Sequence, residues 1–436
     1  MARRLILKSD ADWRAFKAFM AEPRGEALEV GDVVKSILAD VKANGAEAVC
    51  AATERFDRLT LAPDTLQADG LDLVRLADAC PGDLKAAIDF AHDRIAAYHA
   101  KQKPTDHRFT DDLGADLGWR WSAIDAVGLY APGGRASYPS SVLMNAVPAR
   151  IAGARRLVLV APAPEGVLSP AVAYAAQKAG VSEYYPIGGA QAVAALAYGA
   201  GPLKPVDKIV GPGNAYVTEA KRQVFGHVGI DTIAGPSEIC VVSDRRSDPD
   251  WIAADLLSQA EHDPGSQAIL ISDSAAFLDA VSAAADAQLS ELATEAVARQ
   301  AWDRHSALIL VDDLMGEGVR AVDYIAPEHL EVCLDDPEPF GEAVRHAGAI
   351  FLGRHAPEAL GDYVTGSNHV LPTSRAARFA SGLSVTDFMK RTSLQRVGPE
   401  AFSALAGPAL ALAQAEGLPA HAASLAKRRS NKATRA

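Results

Sequence analysis

Apolar positions recur at helical spacing through the first hundred residues and then change period. From Gly31 to Arg55, Val33, Val34, Ile37, Leu38 and Val41 fall on one stripe, which predicts helix. A second helix is predicted from Asp83, after Pro81-Gly82, to about Lys103. Its buried stripe is Leu84, Ile88, Ala91, Ile95 and Tyr98, and Pro104 ends it. From Ala126 onward, short apolar runs alternate with helical patterns. The runs are Val127 to Tyr130, Leu157 to Val160, Ile209-Val210, Ile239 to Val242, Ile269 to Ile271, Leu308 to Val311 and Ile350 to Leu352. Helices such as Pro170 to Lys178 and Asn214 to Phe225 lie between them. Strands this short and this apolar, each followed by a helix, predict parallel sheet covered on both faces, with enough strands for two sheets. After Gly382 no strand pattern returns. The remainder reads as an Ala/Leu-rich helical appendage without a core of its own, with Pro408 to Ala415 followed by Gly417-Leu418-Pro419.

The chain has 436 residues, too many for one ordinary core. Its hydrophobic share of 49% and charged share of 22% belong to a folded protein. A net charge of -12 argues against a general nucleic-acid surface, which needs clustered Lys and Arg. The one basic cluster, Lys427-Arg428-Arg429 running on to Lys432 and Arg435, reads as a solvated tail. Cys50, Cys80, Cys240 and Cys333 are far apart, which argues against a disulfide framework or a thiolate zinc site and suits a reducing cytosol. The apolar run after Arg3-Arg4 is only Leu5-Ile6-Leu7, so no export segment is expected, and no stretch is long and charge-free enough to span a bilayer.

Five stretches, three of them glycine-rich turns, carry chemistry that the residues themselves suggest. Ser258-Gln259-Ala260-Glu261-His262-Asp263-Pro264 closes a helical pattern that begins near Pro249. Three residues apart, Gln259 and His262 share one helix face at an element end. By itself this pair reads as a surface histidine. Next, three glycine-rich turns follow predicted strands: Tyr130-Ala131-Pro132-Gly133-Gly134, Ile187-Gly188-Gly189-Ala190-Gln191 and Val210-Gly211-Pro212-Gly213-Asn214. Such turns let backbone N–H groups approach a phosphate at a helix N-terminus. Each alone could be ordinary punctuation, but three in one α/β segment, flanked by Tyr130, Gln191 and Asn214, point to a nucleotide crevice. Last, Ala326-Pro327-Glu328-His329-Leu330-Glu331 joins a carboxylate to an imidazole at what reads as a helix start. Unaided, an ordinary helix N-terminus is the better account of it.

The chain resembles the histidinol dehydrogenases. The resemblance rests on Val127 to Gly134, Tyr138 to Asn145, Gly211 to Tyr216, Gly235-Pro236-Ser237-Glu238, Gln259 to His262, Pro327 to Glu331, Asn368 to Thr373 and Glu416 to His421, and it covers about residues 30 to 422. It implies an NAD-dependent, four-electron oxidation of L-histidinol to L-histidine in a cytoplasmic homodimer with shared active sites. One Zn²⁺ per subunit is implied at Gln259, His262, Asp362 and His421. Substrate contacts are implied for Ser237, Gln259, His262, His329, Asp362, His369, Glu416 and His421, and NAD contacts for Tyr130, Gln191 and Asn214. His329 becomes the base of the alcohol step and Glu328 the residue that activates water for the aldehyde step.

The implied fold is α/β: two similar incomplete Rossmann-like parallel-sheet domains with small helical N- and C-terminal extensions. The expected division is an arm at 1–25, a first domain of 26–129 plus 239–381 with the zinc and catalytic residues, a second of 130–238 with the NAD site, and a helical extension at 382–436. Arg375 and Arg135 depart from the family pattern without touching an implied site. Two rivals stand beside this reading: a sister dehydrogenase acting on another small alcohol, and a zinc hydrolase in which Glu328 activates water and the glycine turns are merely structural.

Overall fold

Two parallel sheets are assembled from the short apolar runs. The computed structural model describes residues 1–24, 30–133 and 138–430. Gly134 and Arg135 of the first glycine turn, and Lys432 and Arg435 of the basic tail, lie outside the described residues. The chain divides into two compact units, one of residues 1–102 with 125–388 and one of 103–124 with 389–436.

Both parallel sheets belong to the first unit. The larger has the strand order Arg3–Ile6, Ala307–Leu310, Gln267–Ser272, Glu238–Ser243, His329–Cys333, Ala349–Leu352, every pair parallel. Its three central strands are buried along their whole length, which is why they read as unbroken apolar runs instead of alternating ones. The smaller sheet has the order Glu183–Tyr185, Arg156–Val160, Ala126–Tyr130, Lys208–Val210, Gly229–Ile230, again parallel. Helices pack on it through one apolar cluster that includes Val34, Leu38, Val41, Val158, Val193, Leu196 and Ile209.

Helix starts follow local capping chemistry. Ser169 caps Pro170–Lys178, Asn214 caps Ala215–Val224, and Asp248 caps Pro249–Ala260, each side-chain oxygen taking orphan N–H groups of the first turn. The pattern from Gly31 to Arg55 is two helices, Gly31–Asn44 and Ala46–Asp57, broken at Gly45 with φ 58°.

Elsewhere the structure departs from the pattern. The stretch around Glu328-His329 is no helix start. The helix Val319–Ile325 ends at Ala326, held in the left-handed region at φ 47°, and His329–Cys333 is a strand inserted between two others. Pairing on both edges and burial on both faces outweigh the local Pro-Glu signal. The stretch after Gly382 is not all helical either: Met389–Arg396 forms a strand paired antiparallel with Asp116–Ala123 in the second unit. Its Lys, Arg, Thr, Ser and Gln side chains carry no apolar alternation to read. His107–Thr110 completes that three-stranded sheet, and the helices Pro399–Ala415 and Pro419–Ser430 follow it. Arg3–Ile6, within the residues read as an arm, is an edge strand of the larger sheet, and the helix Asp10–Met20 buries Trp13, Phe16 and Phe19.

Candidate active site

The N-terminal ends of two inner strands of the larger sheet, Glu238–Ser243 and His329–Cys333, bring distant motifs together. Glu328 stands immediately before the His329–Cys333 strand, and successive residues of extended chain point to opposite sides. Both are tied to the first residue of the neighbouring strand. The Glu238 N–H donates to Glu328 Oε2 at 3.0 Å, and His329 Nδ1 lies 3.0 Å from the Glu238 carbonyl, so Nδ1 carries the proton and donates. The other ring nitrogen, Nε2, is then a bare lone pair, buried without a hydrogen-bond partner and 3.9 Å from Asp362 Oδ1. Burial, with the imidazoles of His262 and His369 nearby, pulls His329 down to about 3, so the ring is neutral. Burial and the neighbouring carboxylates push Glu328 well above the usual carboxylate range.

Gln259 is fully buried in the last turn of Pro249–Ala260, and His262 follows that helix and faces the cleft described below. The two touch, 3.0 Å apart. With its amide oriented to satisfy both ends, Gln259 accepts from His262 Nδ1–H at 3.0 Å and donates to Glu358 at 3.0 Å and to the Glu238 carbonyl at 3.3 Å. That arrangement leaves His262 Nε2 free as a donor atom.

Asp362 lies in Glu358–Tyr363, and burial pushes its carboxyl up to about 7. Among the described residues no lysine or arginine pairs with it. His369 Nδ1 is 3.0 Å from the Asp362 carbonyl, which orients that ring as well. Ser237 sits just before the Glu238–Ser243 strand and accepts from the Gln267 N–H at 3.0 Å. Glu416 and His421 belong to the second unit, where both are exposed.

The residues fit a divalent cation. By their chemistry Gln259, His262 and Asp362 offer one borderline nitrogen and two oxygens, and the partly buried Asp362 carboxyl has no lysine or arginine partner among the described residues. His329, Glu358 and Asp362 also hold ligand atoms within 4.8 Å of one another, so a cation has further oxygens at hand.

Beside this cluster opens a cleft of about 710 Å³. It is lined by Tyr130, Pro132 and Gly133 from the first glycine turn, Gly189 and Gln191 from the second, Gly213 and Asn214 from the third, and by His262. Tyr130 joins two of the turns, its hydroxyl accepting from the Gly189 N–H at 3.0 Å. Gly211 lies against Tyr130 with φ 116°, where an added Cβ would meet the Tyr130 carbonyl oxygen at 2.0 Å, so only glycine fits.

An ion pair not foreseen from the sequence braces this third turn. Lys221 and Asp231 pair with side chains 3% exposed each, Lys221 Nζ donates to the Gly211 carbonyl at 2.9 Å, and the Gly211 N–H donates to Asp231 at 2.7 Å. Asp231→Asn leaves a buried ammonium without its charge partner. It is expected to cost about 3–5 kcal/mol, read as a lower urea midpoint, while Lys221→Met with Asp231→Leu recovers only part of the loss, because the Gly211 N–H and carbonyl lose their partners.

Glu238, whose backbone carbonyl orients His329, and Glu358, whose carboxylate accepts from the Gln259 amide, were also given no role by the sequence. Their signal is a lone acid in an apolar setting: Glu238 directly precedes Ile-Cys-Val-Val.

The fold is α/β, and buried ionisable side chains, His329, Glu328 and Glu358 among them, gather beside a cleft lined by glycine turns. The sequence profile of histidinol dehydrogenase matches residues 21–429. The histidinol dehydrogenase of Caulobacter vibrioides is 55% identical over 426 residues, spanning 98% of this chain and 99% of that one. That of Ruegeria pomeroyi is 55% identical over 414 residues, 95% of each chain. A crystal structure of histidinol dehydrogenase from Elizabethkingia anophelis superposes with a TM-score of 0.93 at 32% identity, covering 99% of this chain and 98% of that one. The chain belongs to the histidinol dehydrogenase family, a family of oxidoreductases.

Proposed function

We propose that the protein oxidises L-histidinol to L-histidine through L-histidinaldehyde, with two NAD per substrate and one zinc per subunit. The observation that carries this reading is the neutral, buried His329 with its free Nε2, set among Gln259, His262, Asp362 and His369 beside a cleft of glycine turns. Bound zinc would supply an electrophilic anchor for substrate nitrogens, and bound NAD a hydride acceptor. Gln259, His262 and Asp362, with His421, hold the metal. Ser237, His329, His369 and Glu416 hold the substrate together with those ligands. Tyr130, Gln191 and Asn214 hold the cofactor, so the larger sheet serves the chemistry and the smaller one the cofactor.

His329 Nε2 takes the hydroxyl proton in the alcohol step, its tautomer held by the Glu238 carbonyl. Glu328, a stronger base than an exposed carboxylate, takes a proton from the water that hydrates the aldehyde. Enclosing both groups keeps the aldehyde bound between steps. The protein is further read as a cytoplasmic homodimer whose sites are completed by Glu416 and His421 of the other subunit. Among the described residues no helix is long and apolar enough to cross a membrane.

Purified protein supplied with histidinol and excess NAD is expected to form two NADH per histidinol consumed, followed at 340 nm, with histidine as the end product. One NADH per histidinol with aldehyde release, or none, refutes the reading.

A further inference from the structure

Asp57 is the last residue of the helix Ala46–Asp57, and it lines the cleft between the glycine turns. Its position is costly. A carboxylate at a helix C-terminus faces the negative end of the helix dipole. Its basic neighbour Arg58 is turned to Glu165, 3.8 Å away, and one oxygen of Asp57, Oδ2, is buried without a hydrogen-bond partner. Nothing in the proton-transfer chemistry described above uses it. Among the described residues that line the cleft it is the only carboxylate, and none of them is lysine or arginine. Phe56, 52% exposed, lines the same cleft next to the acid, with the Arg55 guanidinium over its ring at 5.1 Å from the centroid.

An aromatic face next to an unpartnered carboxylate suits a nucleoside: a base against the ring, a vicinal diol on the acid. A carboxylate that accepts from a ribose 2′-hydroxyl also repels a 2′-phosphate. Resting on the reading of this cleft as the NAD site, we infer that Asp57 accepts hydrogen bonds from the adenosine ribose of the cofactor and sets a preference for NAD over NADP. It is a binding residue that selects between cofactors, distinct from Tyr130, Gln191 and Asn214, and it takes no part in the proton transfers.

The test is cofactor binding to the full-length protein without substrate, followed by NADH and NADPH fluorescence. Wild type is expected to bind NADH and to disfavour NADPH by about a hundredfold. Asp57→Asn, and separately Asp57→Ser, are expected to weaken NADH about tenfold or more, as befits a lost hydrogen bond to a charged acceptor, and to bring the NADPH penalty below about tenfold. Asp57 is only half-buried, so both variants should keep the wild-type circular dichroism and melting temperature. If the folded variants bind both nucleotides as wild type does, the role of Asp57 is wrong while the cleft assignment stands. If NADH weakens but the NADH-to-NADPH ratio does not change, the assignment to the adenosine ribose is overturned. If wild type binds neither nucleotide, the cofactor reading of the cleft fails, and this inference with it.

Discussion

His329→Ala is expected to slow oxidation of histidinol by about 10²–10⁴-fold, the usual cost of losing a general base. Oxidation of supplied histidinaldehyde should fall far less. Glu328→Gln should show the reverse, crippling the aldehyde step while largely sparing the first hydride transfer. The expectation comes from geometry. The two side chains leave an extended backbone on opposite sides, yet both are tied to Glu238, Glu328 through the N–H and His329 through the carbonyl. Glu328→Gln keeps an amide oxygen able to accept the Glu238 N–H, so the loss isolates basicity from packing. Single-turnover NADH formation from the alcohol and from the aldehyde separates the two steps. Equal losses in both half-reactions for both variants would show that the proton-handling work is not divided.

Mixing His262→Ala with His421→Ala is expected to restore activity that neither homodimer has. Gln259, His262 and Asp362 belong to the first unit, whereas Glu416 and His421 sit exposed on the second. The helix Pro399–Ala415 and the turn after it leave Leu412 64% and Leu418 40% exposed, apolar area that a second subunit could cover. In a heterodimer one site combines an intact His262 with an intact His421, and the other has neither. Activity per heterodimer should therefore climb toward about half of wild type, because one site of two is repaired and distant contacts add independently. Subunit exchange verified by native mass spectrometry, followed by NADH formation, reads the outcome. Verified heterodimers without activity would place each tail in its own subunit's site.

Much of the architecture was legible because it is written locally. Continuous apolar runs such as Ile239 to Val242 and Ile269 to Ile271 form buried parallel strands as their pattern predicts, and the helices read from Pro170 to Lys178 and from near Pro249 begin where their spacing placed them. The three glycine turns could also be read from spacing, because each depends on a few consecutive residues, whereas Gln259 and His262, placed on one face by their spacing, read by themselves as no more than a surface histidine.

What spacing could not yield depends on partners far along the chain. Pro327-Glu328 carries a helix-start signal, and only two flanking strands make His329–Cys333 a strand. The polar strand Met389–Arg396 has no pattern of its own and exists through its pairing with Asp116–Ala123. The tautomer of His329 is set by the Glu238 carbonyl, 91 residues away, and the Gly211 turn is held by an ion pair between Lys221 and Asp231. Short-range order follows from capping, turn chemistry and periodicity, all properties of neighbouring residues. Protonation, tautomer and orphaned lone pairs follow from burial and from groups that only the folded chain brings within hydrogen-bonding distance.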